Sequence, residues 1–96
     1  MLNFIVVAGY VRNVSISHYA DGASCQFFEL GIPRRTRTDY IKCRYFSRPK
    51  RVRDFLDLKE GETVNVNGQI GTIAGKDIVL IDANYVERFT PVPEET

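Results

Sequence analysis

The sequence predicts an all-β chain, five strands curled into a small barrel with one short helix between strands 3 and 4. Three features carry that expectation. Apolar and polar residues alternate with a period of two through most of the chain, turn signals rich in Gly, Asp and Pro separate these stretches, and a helical period appears only once, after Phe46.

The elements follow in order. Residues 2–11, LNFIVVAGYV, read as a long strand interrupted at Gly9, where a bulge or the close approach of another backbone is expected. Tyr19-Ala-Asp-Gly22 is a turn signal, and Ser24 to Ile32 form a second strand that Pro33 stops. Arg34 to Thr38 make a polar, basic loop before the third strand, Asp39 to Phe46, whose sequence is DYIKCRYF. Val52, Phe55 and Leu56 then fall at i, i+3, i+4, with Ser47 as N-cap and Pro49 in the first turn, which predicts a short helix ending near Gly61. Thr63 to Ile73 form strand 4, Ala74-Gly-Lys-Asp77 a tight hairpin turn, and Ile78 to about Phe89 strand 5. Three strands, a helix and two strands is the order of an OB-fold, a five-stranded Greek-key barrel whose second and third strands commonly face oligonucleotides.

A chain of 96 residues suits one core, so residues 1–90 are expected to form a single domain and 91–96 a frayed tail. Hydrophobic residues at 44% and charged residues at 26% fit a globular protein. No apolar run approaches the roughly 20 residues of a membrane span. The start lacks the basic region and cleavage site of a signal peptide, so a cytoplasmic protein without a membrane partner is expected. Cys25 and Cys43 are too few for a disulfide framework and lack metal-ligand spacing, which makes both core residues and predicts neither metal nor cofactor.

The net charge of +1 conceals an asymmetry. Between Arg34 and Arg53 nine Lys/Arg face one acid, Asp39, for +8, and the rest of the chain carries −7. Such a local excess is the electrostatic footprint of a polyanion partner. Within it, strand alternation sets Ile41, Cys43 and Tyr45 on one face of DYIKCRYF and Tyr40, Lys42, Arg44 and Phe46 on the other. The first set is core and the second is suited to a ligand both flat and negatively charged. On strand 2, Gln26, Phe28, Leu30 and Ile32 form the expected inward set, which turns Phe27 outward beside strand 3. Phe27, Tyr40 and Phe46 are therefore candidates to stack bases, and Lys42, Arg44, Arg34, Arg35 and Arg37 to hold phosphates of single-stranded nucleic acid. Arg48, Lys50, Arg51 and Arg53 are assigned to the exposed side of the helix, and His18 to an exposed loop. No nucleophile with a paired base, glycine-rich phosphate loop, HExxH or GxSxG is present, so no catalytic residues are expected.

These residues resemble a family, the bacterial and phage single-stranded DNA-binding proteins with the related primosomal replication protein B. The likeness runs from about Leu2 to Phe89 through FIVVAGYV, ADGASCQFFEL, DYIKCRYF with a following helix, and LKEGETVNVNGQIGT. It implies an OB-fold that binds single-stranded DNA without enzymatic activity, in replication, recombination or repair, with little sequence preference. By motif position Tyr40 corresponds to a stacking tryptophan at the start of the family's third strand, Phe46 to a stacking phenylalanine at its end, and Lys42 to a basic position between them. There is no tryptophan here, the family's stacking residue after strand 2 falls near Thr36, and the hairpin after Thr72 is short where the family has a long basic arm. The family's acidic tail, which recruits replication proteins, has no counterpart in the closing VPEET. Family members pair through the first strand, and LNFIVVAGYV is apolar on both faces, so a homodimer or homotetramer through that strand is expected. Two other readings share the same face: a protein-interaction module of the primosome or replisome, and a binder of single-stranded RNA.

Overall fold

The computed structural model describes residues 3–47 and 56–89. Its strands are β1 (Ile5–His18), β2 (Ser24–Pro33), β3 (Thr38–Ser47), β4 (Thr63–Thr72) and β5 (Val79–Arg88). They close into a barrel in the order β1-β2-β3-β5-β4. All neighbours are antiparallel except β3 and β5, which meet in parallel over the pairs Cys43↔Ile81 and Arg44↔Asp82. This is the OB-fold arrangement expected from the order of elements.

Alternation decides what faces inward. Val11, Phe28, Leu30, Cys43, Val64, Val66, Ile81 and Val86 form the core with Leu58 from the segment before β4. Gln26 joins this inward set and is fully buried. Its amide oxygen and nitrogen accept and donate no hydrogen bond among the described residues.

β1 is longer than residues 2–11, and the reason is a bulge. Asn13 takes a left-handed backbone with φ 54°, and the pairing with β2 slips between Arg12↔Glu29 and Ser15↔Phe27. Asn tolerates this region better than most residues, and a bulge bends a strand without ending it. The Glu60 carboxylate accepts the N–H groups of Asn13 and Val14, each at 3.0 Å, and so satisfies amides at the bulge. β1 therefore continues to His18, which is exposed at its end instead of lying in a loop. Gly9 is the close approach and not the bulge: a Cβ there would lie 2.6 Å from the Gly31 carbonyl oxygen.

The helix expected after Ser47 falls largely on residues 48–55, outside the described residues. Residues 56–61, assigned to its C-terminal end, are not helical; Glu60 and Gly61 form a turn with φ 83° at Gly61, and no helix occurs among the described residues. The hairpin turn at 74–77 is closed by hydrogen bonds from the Lys76 N–H to the Ile73 carbonyl and from the Ile73 N–H to the Ile78 carbonyl.

Candidate nucleic-acid interface

The register between strands builds this face row by row. Tyr10, Gly31 and Tyr40 are Cα partners across β1, β2 and β3, and so are Arg12, Glu29 and Lys42. Phe27 lies opposite Arg44, and Cys25 opposite Phe46. Side chains of one row therefore stand beside those of the next on the barrel's outer side.

In the first row the Tyr10 and Tyr40 rings meet edge to face, with centroids 6.2 Å apart and planes at 88°, and their hydroxyls are 2.8 Å apart. Gly31 makes room for this pair, since a Cβ there would lie 2.3 Å from the Tyr10 ring. The hydroxyl contact raises the Tyr40 pKa above the ordinary phenol value, which keeps that ring neutral. Tyr40 nevertheless remains 41% exposed.

The second row holds charge. Arg12 Nε lies 3.0 Å from Glu29 Oε1, and the guanidinium carbon of Arg12 stands 3.2 Å from the centre of the Tyr40 ring. Asn13 donates from Nδ2 to the same Glu29 oxygen at 2.6 Å. These donors, Asn13 first, hold the Glu29 carboxyl below its ordinary pKa. Lys42 is exposed beside them and makes no ion pair with a described residue.

Further along, Arg44 donates to both carboxylate oxygens of Asp82 on β5, which raises the arginine's pKa and ties β3 to β5 within their short parallel pairing. Phe27 is half-buried next to it. At the end of β3, Phe46 is 54% exposed, and the Tyr19 ring lies 6.1 Å from it at 46°. Cys25 belongs to the outward set but is buried against Tyr19, Arg44 and Asp82, and burial pushes its thiol pKa up.

The residues expected from the sequence are thus brought together only in part. Tyr40, Lys42, Arg44, Phe46 and Phe27 share one face. Arg34 and Arg37 both pair with Asp39, and the Arg34 N–H donates to the Arg37 carbonyl, closing the turn that carries the exposed Arg35. Of the five basic residues assigned to phosphates, Lys42 and Arg35 have no ion-pair partner among the described residues. Arg48, Lys50, Arg51 and Arg53 lie outside the described residues.

Sequence reasoning missed Tyr10, Arg12 and Tyr19. Tyr10 and Arg12 are two residues apart, the spacing of one strand face, but a strand ended at residue 11 separates them. Tyr19 reaches the face only through the turn it begins, for which no periodicity exists. Among the described residues no group of three His, Cys, Asp or Glu side chains could hold a metal ion, and no helix is long and apolar enough to cross a membrane.

The fold and this face define a class: a small OB-fold barrel with an aromatic and basic sheet surface. Solved structures similar to it are OB-fold single-stranded DNA-binding proteins and PriB. The dimeric N-terminal domain of PriB from Thermoanaerobacter tencongensis has a TM-score of 0.74 and 23% identity, over 92% of this chain and 97% of that one. The single-stranded DNA-binding protein of Thermus aquaticus has a TM-score of 0.75 and 18% identity, over 99% of this chain and 44% of that one. The second single-stranded DNA-binding protein of Mycobacterium smegmatis has a TM-score of 0.68 and 21% identity, over 90% and 87%. At these identities the likeness is one of fold. No family model matches the chain, and no curated protein matches it by sequence.

Proposed function

We propose that this chain is a non-enzymatic, cytoplasmic protein that binds single-stranded DNA with little sequence preference, in replication, recombination or repair. The observation that carries the reading is the outer face of β3, where Tyr40 and Phe46 stay exposed on either side of Lys42, which has no ion-pair partner among the described residues. Exposed aromatic rings leave apolar area in water that a base would cover, and stacking accepts any base because every base has a π-face. Lys42 and Arg35 would meet phosphates directly, while Arg34, Arg37 and Arg44 would do so in competition with Asp39 and Asp82. The structural likeness to proteins named for single-stranded DNA binding points the same way.

The reading includes a homodimer or homotetramer through β1. Residues 5–9 pair with β4 along one edge, whereas the pairing of β1 with β2 begins at Tyr10, leaving the other edge of that half without a described strand. Val6, Asn67 and Tyr85 form a row across β1, β4 and β5, and Phe4, Val6 and Tyr85 are exposed apolar side chains there. A second copy would cover both the edge and the row. The similar PriB domain is itself described as dimeric.

The test is a fluorescence-anisotropy titration of labelled oligo-dT against duplex of the same length at two salt concentrations. Preferential binding of the single strand is expected. Two direct phosphate contacts per subunit predict a slope of log K against log salt of about −1.4, since each contributes about −0.7 on single strands. A folded protein that binds neither DNA would sink the proposal and turn the search to protein partners of the same face.

A further inference from the structure

We infer that the outer face contains a nucleobase pocket in which the Glu29 carboxylate accepts a hydrogen bond from an exocyclic amino group, so that cytosine is favoured over uracil. This rests on the reading of the chain as a single-strand binder and deepens it: the stacking positions accept every base, and one cleft beside them adds a preference at a single position. The site is a cleft of about 320 Å³ beside the stacking residues. That volume is at the small end of ligand pockets, suited to one flat ring.

Its lining is divided by chemistry. Phe27 of β2 with Ile73 and Ile78 at the base of the β4–β5 turn supply apolar surface, and Asn13, Glu29 and Lys42 supply polar groups. Lys42 also borders a second cleft, shared with Tyr40, Arg34 and Ile78. A strand whose backbone lies at Lys42 therefore has the Tyr40 ring on one side and the Phe27 cleft on the other.

Glu29 gives the cleft its selectivity. Its Oε1 accepts from Arg12 and Asn13, whereas its Oε2 accepts from no described residue. The carboxyl is held in its ionised form by those donors. An ionised carboxylate only accepts hydrogen bonds. Cytosine presents an N4 amino donor to it, a pairing for which Glu and Asp are suited. Uracil presents a carbonyl oxygen at the same position, and that oxygen would face the carboxylate unpaired. Arg12 is already engaged with Glu29 and the Tyr40 ring, and Lys42, the other cation of the lining, is taken by the strand's phosphate in this reading.

The experiment compares oligo-dC and oligo-dU of equal length, which differ at position 4 and its adjoining ring nitrogen but share ring size and backbone, with oligo-dT as the reference ligand. The expected result is binding to all three with oligo-dC favoured over oligo-dU by about tenfold, the low end for one hydrogen bond to a charged group. In Glu29→Gln the acceptor for Arg12 is retained while an amide donor is introduced, and the dC to dU ratio is expected to fall to one or below. A Glu29 that served structure alone would weaken both ligands equally and leave the ratio unchanged, which would overturn the inference. Equal wild-type affinity for oligo-dC and oligo-dU would overturn it while leaving single-strand binding intact. Failure of the folded protein to bind any of the three would overturn both readings.

Discussion

The guanidinium of Arg12 covers one face of the Tyr40 ring, with its central carbon 3.2 Å from the ring centre, while its Nε is anchored to Glu29. Tyr40 is therefore held in place while 41% of it stays exposed. A base stacking there meets a ring already oriented by the Arg12 guanidinium and by its contact with Tyr10, so less motion is lost on binding. Arg12→Ala is expected to weaken oligo-dT binding by about 0.5–1 kcal/mol, the size of an exposed cation–π contact. A titration showing tighter binding would mean instead that Arg12 blocks the ring.

Replacing Tyr10 by Phe removes the hydroxyl contact and keeps the edge-to-face ring. The Tyr40 pKa, raised chiefly by that contact, should move down toward the ordinary phenol value. Ultraviolet titration of tyrosinate formation, comparing Tyr10→Phe with the parent, reads this shift. A remaining-tyrosine titration unchanged by the substitution would show that the two hydroxyls do not interact in solution.

The two ends of β3 are expected to act together. Alanine at both Tyr40 and Phe46 should weaken binding by roughly 2–6 kcal/mol if stacking of about 1–3 kcal/mol per base adds across two bases. The residues are six positions apart on one strand, and each has its own aromatic neighbour, Tyr10 or Tyr19, which favours additivity. Phe27→Ala should cost less because Phe27 is half-buried as a wall of the adjoining cleft. Unchanged affinity in the double variant would remove these residues from the site.

The barrel was legible because its signals are local. Alternation in DYIKCRYF separates Cys43 from Lys42 without any tertiary information, and Pro33 and the turn at 74–77 mark their own positions. What escaped depends on contacts distant in sequence. The bulge at Asn13 is stabilised by Glu60, 47 residues away from it, and without that bulge Arg12 reads as the residue after a strand. The charge excess misled in a similar way: Asp39 follows Arg34 and Arg37 closely in sequence and pairs with both, a local neutralisation, but Asp82 reaches Arg44 only because β5 crosses the sheet to meet β3.

Gln26 offers a stability test independent of ligand. It is fully buried in the inward set with neither amide atom hydrogen-bonded among the described residues, and a buried polar group left unsatisfied costs about 1–3 kcal/mol. Gln26→Met, close to it in shape, should raise stability by about 1 kcal/mol or more, or about 4–8 °C in Tm for a domain of this size. A lower Tm would show that the amide is satisfied in solution.

Cys43 should be silent to thiol reagents in the folded protein. Burial pushes its pKa up to about 12 from 9.0, so the thiolate that reacts is scarce at pH 8 and shielded as well. Because the folded pKa is the higher one, the neutral thiol's contribution to stability is fully present below pH 9.0 and is lost as pH rises toward about 12. Alkylation followed by mass spectrometry should find Cys43 unmodified at pH 8 and modified after denaturation. Rapid labelling of the native protein would contradict the buried placement.

Two acids that neutralise arginines of β3 and the turn before it should respond differently to neutralisation. Asp39, half-buried at the start of β3, is paired with Arg34 and Arg37 of an exposed turn, where ion pairs contribute little to stability, about 0–1 kcal/mol. Asp39→Asn therefore should leave Tm nearly unchanged while releasing two guanidinium groups toward phosphate. The oligo-dT affinity should rise at low salt, and the salt slope should steepen by about 1.4 if both cations then contact the strand. Asp82 also neutralises an arginine, Arg44, but across the brief parallel junction that closes the barrel. Asp82→Asn frees that cation and loosens the closure, so Tm should fall by about 4–8 °C for a loss of about 1 kcal/mol. Measuring Tm and salt slope on the same two variants separates charge that restrains DNA binding from charge that holds the fold: a Tm loss in Asp39→Asn matching that in Asp82→Asn would show that both pairs are structural.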